Sequence, residues 1–216
     1  MPDLDFRVES AAAVPFAATP RLAFRIAATN ANAEESIYSV ALRAQIQIET
    51  PRRRYSAEEQ EHLLDLFGEP ERWGQTLRNM LWTEAAATIP AFLGAGGVEM
   101  QVPCTFDFNV AVTKYFHALG NGEIPLCFLF SGAVYYAGEG GAQQVAPISW
   151  SKEARFRLPV ATWREMMDLY YPNTAWLCLR RDVFERLYQY KVRHGIATWE
   201  AALESILTEC EEALKQ

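Results

Sequence analysis

The chain has 216 residues, half of them hydrophobic and 22% charged, with a formal net charge of -7. That length suffices for one sizeable domain or two small ones, and no stretch is poor enough in apolar residues to read as disordered. The acid excess speaks against a nucleic-acid partner, and no apolar run approaches the ~20 residues of a membrane-spanning helix.

Residues Met1 to Asp5 hold neither a basic nor an apolar leader, so no signal peptide is expected. The expected location is the cytoplasm, with Cys104, Cys127, Cys178 and Cys210 as reduced thiols. Leu4, Phe6 and Val8 alternate with polar residues and predict a first strand over 4–9, followed by a connector to Pro20. Residues 21–30 predict a second strand with Leu22, Phe24 and Ile26 inward. Residues 37–49 predict a third, with Tyr38, Val40, Leu42, Ala44, Ile46 and Ile48 on one side. Ser39, Arg43, Gln45, Gln47 and Glu49 form its wet side. Arg52-Arg53-Arg54 then reads as a solvated basic edge that blocks strand pairing. Ser56 and Glu59 have capping-box spacing and open a short helix, closed by Gly68 and Pro70. A helical turn or loop over 71–80, a strand over 81–89 and a turn at Gly94 to Gly97 follow.

The stretch from Val98 to Tyr136 dominates the reading. Val98, Met100, Val102, Cys104, Phe106, Phe108, Val110, Val112 and Phe116 fall on alternate positions, and so do Leu126, Phe128, Phe130, Val134 and Tyr136. Period-two alternation predicts two long strands, joined as a hairpin by the Gly-Asn-Gly turn at 120–122. Asp107 is out of place in such a strand and needs a partner, for which Arg43 or Lys114 is suited. A turn at Gly138 to Gly141 and one more strand within 145–158 complete the β-rich part.

At Pro159 the period changes from two to 3.6. Thr162 and Glu165 have the spacing of a second capping box, and Trp163, Met166, Met167 and Tyr170 form a helical stripe. Asp182 is placed to cap a helix bearing Val183, Phe184, Leu187, Tyr188 and Tyr190, which ends at His194-Gly195. Thr198 opens a last helix through Trp199, Ala202, Leu203, Ile206 and Leu207. About seven strands followed by helices predict an α+β protein. Two architectures fit: an antiparallel β-sandwich, or one large curved antiparallel sheet with the C-terminal helices packed on it, as in export chaperones of the SecB type. Residues 1–158 form the β part, with a helical insertion near 56–80. Residues 159–216 form the helical segment, and the two together are expected as one structural unit.

There is no G-x-S-x-G, Walker loop, H-E-x-x-H or Ca²⁺ loop, so the sequence favours a non-catalytic protein and implies no cofactor. The aromatics of the C-terminal part, Trp163, Tyr170, Tyr171, Trp176 and Tyr188, are candidates for a partner-binding surface, since large amphipathic rings are enriched at interfaces. A carrier of an apolar small molecule is the second reading. The third is a metal-handling protein, if consecutive strands bring Cys104 and Cys127 together beside His117. Homo-oligomers are compatible with all three.

The run from Tyr170 through Trp176 to Leu179, followed by Asp182 to Tyr188, resembles a family of uncharacterised bacterial proteins. The strand around Ser39 to Gln45, after the Asn30 turn, resembles the start of the same family. The resemblance implies genes in operons of high-affinity nickel–iron hydrogenases, and hence an accessory or assembly protein whose partner is a hydrogenase subunit or maturation factor. It implies no catalytic residue.

Overall fold

The computed structural model describes residues 2–214, and the chain divides into two compact units, Met1–Thr174 and Ala175–Gln216. The first unit opens with β1 (Leu4–Ala13), β2 (Arg21–Asn30) and β3 (Ser36–Ile48). Three short helices follow, α1 (Ala57–His62), α2 (Leu64–Phe67) and α3 (Trp73–Thr76). Next come β4 (Met80–Ile89), the two-residue β5 (Phe92–Leu93) and β6 (Ala95–Pro103). Then α4 (Val110–Ala118) leads to β7 (Glu123–Ala137), β8 (Gln143–Pro147), β9 (Glu153–Pro159) and α5 (Val160–Tyr170). All strand pairs are antiparallel.

Hydrogen bonding runs β1-β2-β6, crosses through β5 to β3, and continues to β7. β3 also carries β4, and the far edge of β7 is shared by β9 and β8 in succession. Folding over at β5 lays the three strands β1, β2 and β6 on the other six. Aromatic rings mark the seam: Phe6 meets Phe130 at 4.8 Å, and Phe24 meets Phe128 at 5.2 Å. Phe24 also stands edge-on to Trp82 and Phe156. Such edge-to-face pairs suit the ring quadrupole and fill the ~10 Å between packed sheets. The α+β sandwich predicted from the alternation is therefore the fold.

Period-two patterning places β2 residue for residue and puts Val40, Leu42, Ala44, Ile46 and Ile48 of β3 in the core. A bulge between Ile37 and Ser39 shifts the register at the start of β3, so Ile37 is buried and Tyr38 turns outward. The strand expected over 145–158 is two strands, split by a turn at 148–152.

The long hairpin expected over 98–136 does not form. β6 pairs with β2, β7 pairs with β3, and α4 lies between them in sequence. Asn109 makes the difference: its Oδ1 accepts from Val112 N at 3.2 Å, capping α4, while its Nδ2 donates to the carbonyls of Leu81 and Trp82. Val112 and Phe116, four apart, satisfy strand and helix periods alike, and here they face the core from the helix. Asp107 is exposed in the turn that precedes α4, and Lys114 pairs with Asp65 instead.

Two cap expectations also change. α5 starts at Val160 after Pro159, so Thr162 lies inside the helix, and α6 (Arg181–Arg193) starts one residue before Asp182. The Ser56–Glu59 capping box is present in full. α5 packs on β1, β2 and β9 and belongs to the sandwich unit, so the division falls after Thr174 and not at 159. The second unit holds two helices, α6 followed by α7 (Trp199–Leu214), linked by a turn at Gly195 with φ 65°. Among the described residues no helix is long and apolar enough to cross a membrane.

Candidate functional site

The most conspicuous polar cluster of the sandwich involves Arg53. The expected solvated edge holds for Arg52 and Arg54, which are exposed, and is corrected for Arg53: its side chain is only 8% exposed, and its guanidinium holds Glu59 through two 2.8 Å hydrogen bonds. The same guanidinium donates to the carbonyls of Asn121 and Glu123, and Glu59 accepts from the backbone N–H of Ser56 and of Gly120 at 3.0 and 2.8 Å. Burial alone would push the Glu59 carboxyl up. The Arg53 and backbone hydrogen bonds, together with the guanidinium charge, overcome it and hold the group at about 2. Every donor and acceptor in this cluster is spent inside the chain, fastening the loop after α4 to the start of α1. It is a clasp, with no valence turned to a ligand.

Three of the five expected partner-binding aromatics also work inward. Trp163 is 3% exposed and packs against Phe116 at 5.4 Å and His117 at 4.8 Å. The Tyr170 hydroxyl donates to Val14 O at 2.6 Å and accepts from Ala17 N at 2.8 Å, tying the β1–β2 connection to α5. Tyr171 is half-buried with its ring 4.7 Å from Phe106. These rings are packing residues, because α5 uses its aromatic side to cover the end of the sandwich. Trp176 and Tyr188 lie in the second unit, 40% and 52% exposed.

The alternative metal set is not brought together. Cys104 continues the core face of β6, its Sγ donates to Val102 O, and burial pushes its thiol up to about 12. Cys127 pairs with Gln47 and Arg155 across β7, on the opposite face of its strand from the core residues Leu126 and Phe128. Its thiol is raised by burial and by the nearby Glu153 and Glu49 carboxylates. His117 stacks on Phe106, where burial and Arg164 lower its basicity. The expected adjacency of the two cysteines required the 98–136 hairpin, which α4 replaces. Among the described residues, no three His, Cys, Asp or Glu side chains are grouped so as to hold a metal ion.

The interior void lined by Trp82, Cys104, Val112, Phe116 and Trp163 has about 10 Å³, whereas small-molecule pockets measure roughly 300–1,000 Å³. A wider hollow of about 710 Å³ lies open at the surface between the 120–122 turn and Arg164, Glu165 and Asp168 of α5. Its lining mixes these charged side chains with Ala161 and Leu169.

The second unit offers a different kind of surface. Its inner contacts are few and specific. Trp199 meets Phe184 at 5.2 Å and Tyr188 at 6.2 Å, Lys191 lies 5.5 Å over the same indole, and the Tyr190 hydroxyl bonds Ser205 and Glu209. Phe184, Tyr188 and Val192 are spaced i, i+4, i+8 along α6 and are all exposed. Leu203, Leu207 and Leu214 run along α7 at spacings of four and seven and are exposed as well, with Leu207 at 62%. Each helix thus carries an exposed apolar stripe of three large side chains. The sequence signal for it was the width of the apolar arc: inner positions such as Ala202 and Ile206 already supply a core stripe, and Leu203 and Leu207 lie beyond it.

Comparison with known proteins adds a family and little else. Residues 1–215 match the profile of a family of unknown function, DUF6084. No curated protein matches the chain. Among solved structures, a late embryogenesis abundant (LEA) protein solved in solution is 15% identical, covering 74% of this chain and 73% of its own. The TM-score of 0.31 is too low to carry fold or function across.

Proposed function

We propose a function from one premise: the chain belongs to the DUF6084 family, of unknown function, over residues 1–215. The protein is a non-catalytic accessory protein, and its working surface is the exposed apolar stripes of α6 and α7, which dock another polypeptide. The β-sandwich is the rigid body that carries it. The observation behind this reading is those stripes. Soluble proteins rarely leave a contiguous apolar stripe of this kind unpaired, and helical recognition uses i, i+4 anchors on such stripes. The setting we propose is assembly of a nickel–iron hydrogenase, the context implied by the sequence resemblance, with a hydrogenase subunit or maturation factor as client.

The test uses the full chain and its Tyr188→Glu/Leu207→Glu variant. Each is mixed with purified hydrogenase subunits and weighed by native mass spectrometry, with helicity checked by circular dichroism. Complexes of the parent chain, with itself or with a subunit, are expected to weaken at least about tenfold in a variant that keeps its helices. Equal complex formation by both chains would remove the stripes from the reading.

A further inference from the structure

We infer that the α7 stripe takes one kind of occupant: an amphipathic helix of another protein, its apolar seam bordered by lysine or arginine. This rests on the proposed reading that the stripe is a docking surface, and it names the partner from spacing and charge. Leu203, Leu207, Cys210 and Leu214 follow one another at intervals of four, three and four residues, and all are exposed. That is the spacing of a heptad seam, which interlocks with the knobs of a second helix. An extended strand, with its period of two, does not follow it.

The charge comes from the border. Glu200, Glu204 and Glu211 each stand three residues before a leucine of the seam, so each is that leucine's near neighbour on the helix surface. All three are exposed, and among the described residues their carboxylates make no ion pair or hydrogen bond. Glu209, by contrast, is spent on the Tyr190 hydroxyl. From Trp199 to Leu214 there is no basic residue to answer them. The other border of the seam is the packed one, with Ala202 buried and Ile206 half-buried. A helix laid on the leucines therefore meets glutamates along its open flank, where flanking charges choose the partner. Lysine and arginine are held there, and glutamate is repelled. A second copy of this chain does not fit. Another α7 would set glutamate on glutamate, and the α6 stripe is bordered at the same spacing by Arg181, Glu185 and Gln189, a mixed set.

The full chain is titrated by calorimetry with a synthetic helix of about 21 residues bearing leucine at a and d and lysine at e and g. The comparison is the same peptide with glutamate at e and g. The lysine peptide is expected to bind at least about 30-fold more tightly. Glu200→Gln/Glu204→Gln/Glu211→Gln is expected to weaken it about tenfold. Leu207→Ala, which keeps a good helix former in place, is expected to do the same. Glu61→Gln/Glu69→Gln/Glu71→Gln removes the same charge from exposed sites of the sandwich unit and is expected to change nothing. No binding, equal affinity for the two peptides, or equal weakening by the two glutamine variants would each overturn the inference. A parent chain that is dimeric by native mass spectrometry, and monomeric after Leu207→Ala, puts a second copy on the stripe: the inference falls and the docking reading stands. A hydrogenase subunit held through Leu207 but indifferent to the glutamates has the same consequence. A chain in which Leu207→Ala alters no complex at all removes both.

Discussion

Glu59 shows how much one side chain can fasten. Its carboxylate joins Arg53, the α1 cap at Ser56 and the Gly120 N–H, and the partner guanidinium extends the clasp to Asn121 and Glu123. Because the folded-state pKa of about 2 lies below the ordinary 4.5, the clasp contributes stability that is fully present above pH 4.5. That contribution drains away as pH falls from 4.5 toward 2. Glu59→Gln leaves a buried guanidinium without its counter-charge and is expected to cost about 3 kcal/mol at neutral pH. It should also flatten the acid limb of stability between those two pH values, as urea titrations across pH would show. A Glu59→Gln chain with the parent's midpoint and the parent's acid limb would mean the clasp is idle.

At the scale of elements, α4 is the instructive case. Asn109→Ala removes the cap on Val112 N and both bonds to the β4 carbonyls, with an expected loss of about 2 kcal/mol. Asn109→Ser keeps a cap acceptor and gives up the two donated bonds, so it is expected to fall between. Urea midpoints order the three chains, and any other order refutes the double role of Asn109. The same residue explains what the sequence conceals. β2 and β3 were legible because alternation there has no helical competitor. From Val110 to Phe116 the apolar positions suit both periods, and only a long-range bond from Asn109 to β4 decides between them. Burial of the Arg53 side chain was hidden for the same reason: Glu59, six residues on, supplies the charge, but Gly120, Asn121 and Glu123 arrive from the segment leading into β7, 61 to 70 residues away from their partners. The candidate surface was legible in part. Tyr188 was on it from the outset, whereas Trp163, Tyr170 and Tyr171 share its aromatic character and sit in the sandwich unit.

At the scale of the molecule, the two units differ in what holds them. The sandwich has a contiguous core from Leu4 to Met167, whereas the second unit has one buried side chain, Ala202, among its helical residues. Residues 1–174 expressed alone are therefore expected to melt within about 3 °C of the full chain. Residues 175–216 alone are expected to be mostly unfolded at low concentration, since chains of about 40 residues rarely bury enough surface. Calorimetry of the two pieces checks both expectations, and a sandwich piece that fails to fold would show the units to be interdependent.

β7 has a consequence for how the protein is made. It is the partner for which β3, begun nearly ninety residues earlier, must wait, and its other edge waits in turn for β9, which ends at Pro159. A nascent chain leaving the ribosome therefore carries β1 to β6 without their central strand, greasy and open to proteases or chaperones, for most of its synthesis. Closure comes late and all together, once Glu153 to Pro159 emerge.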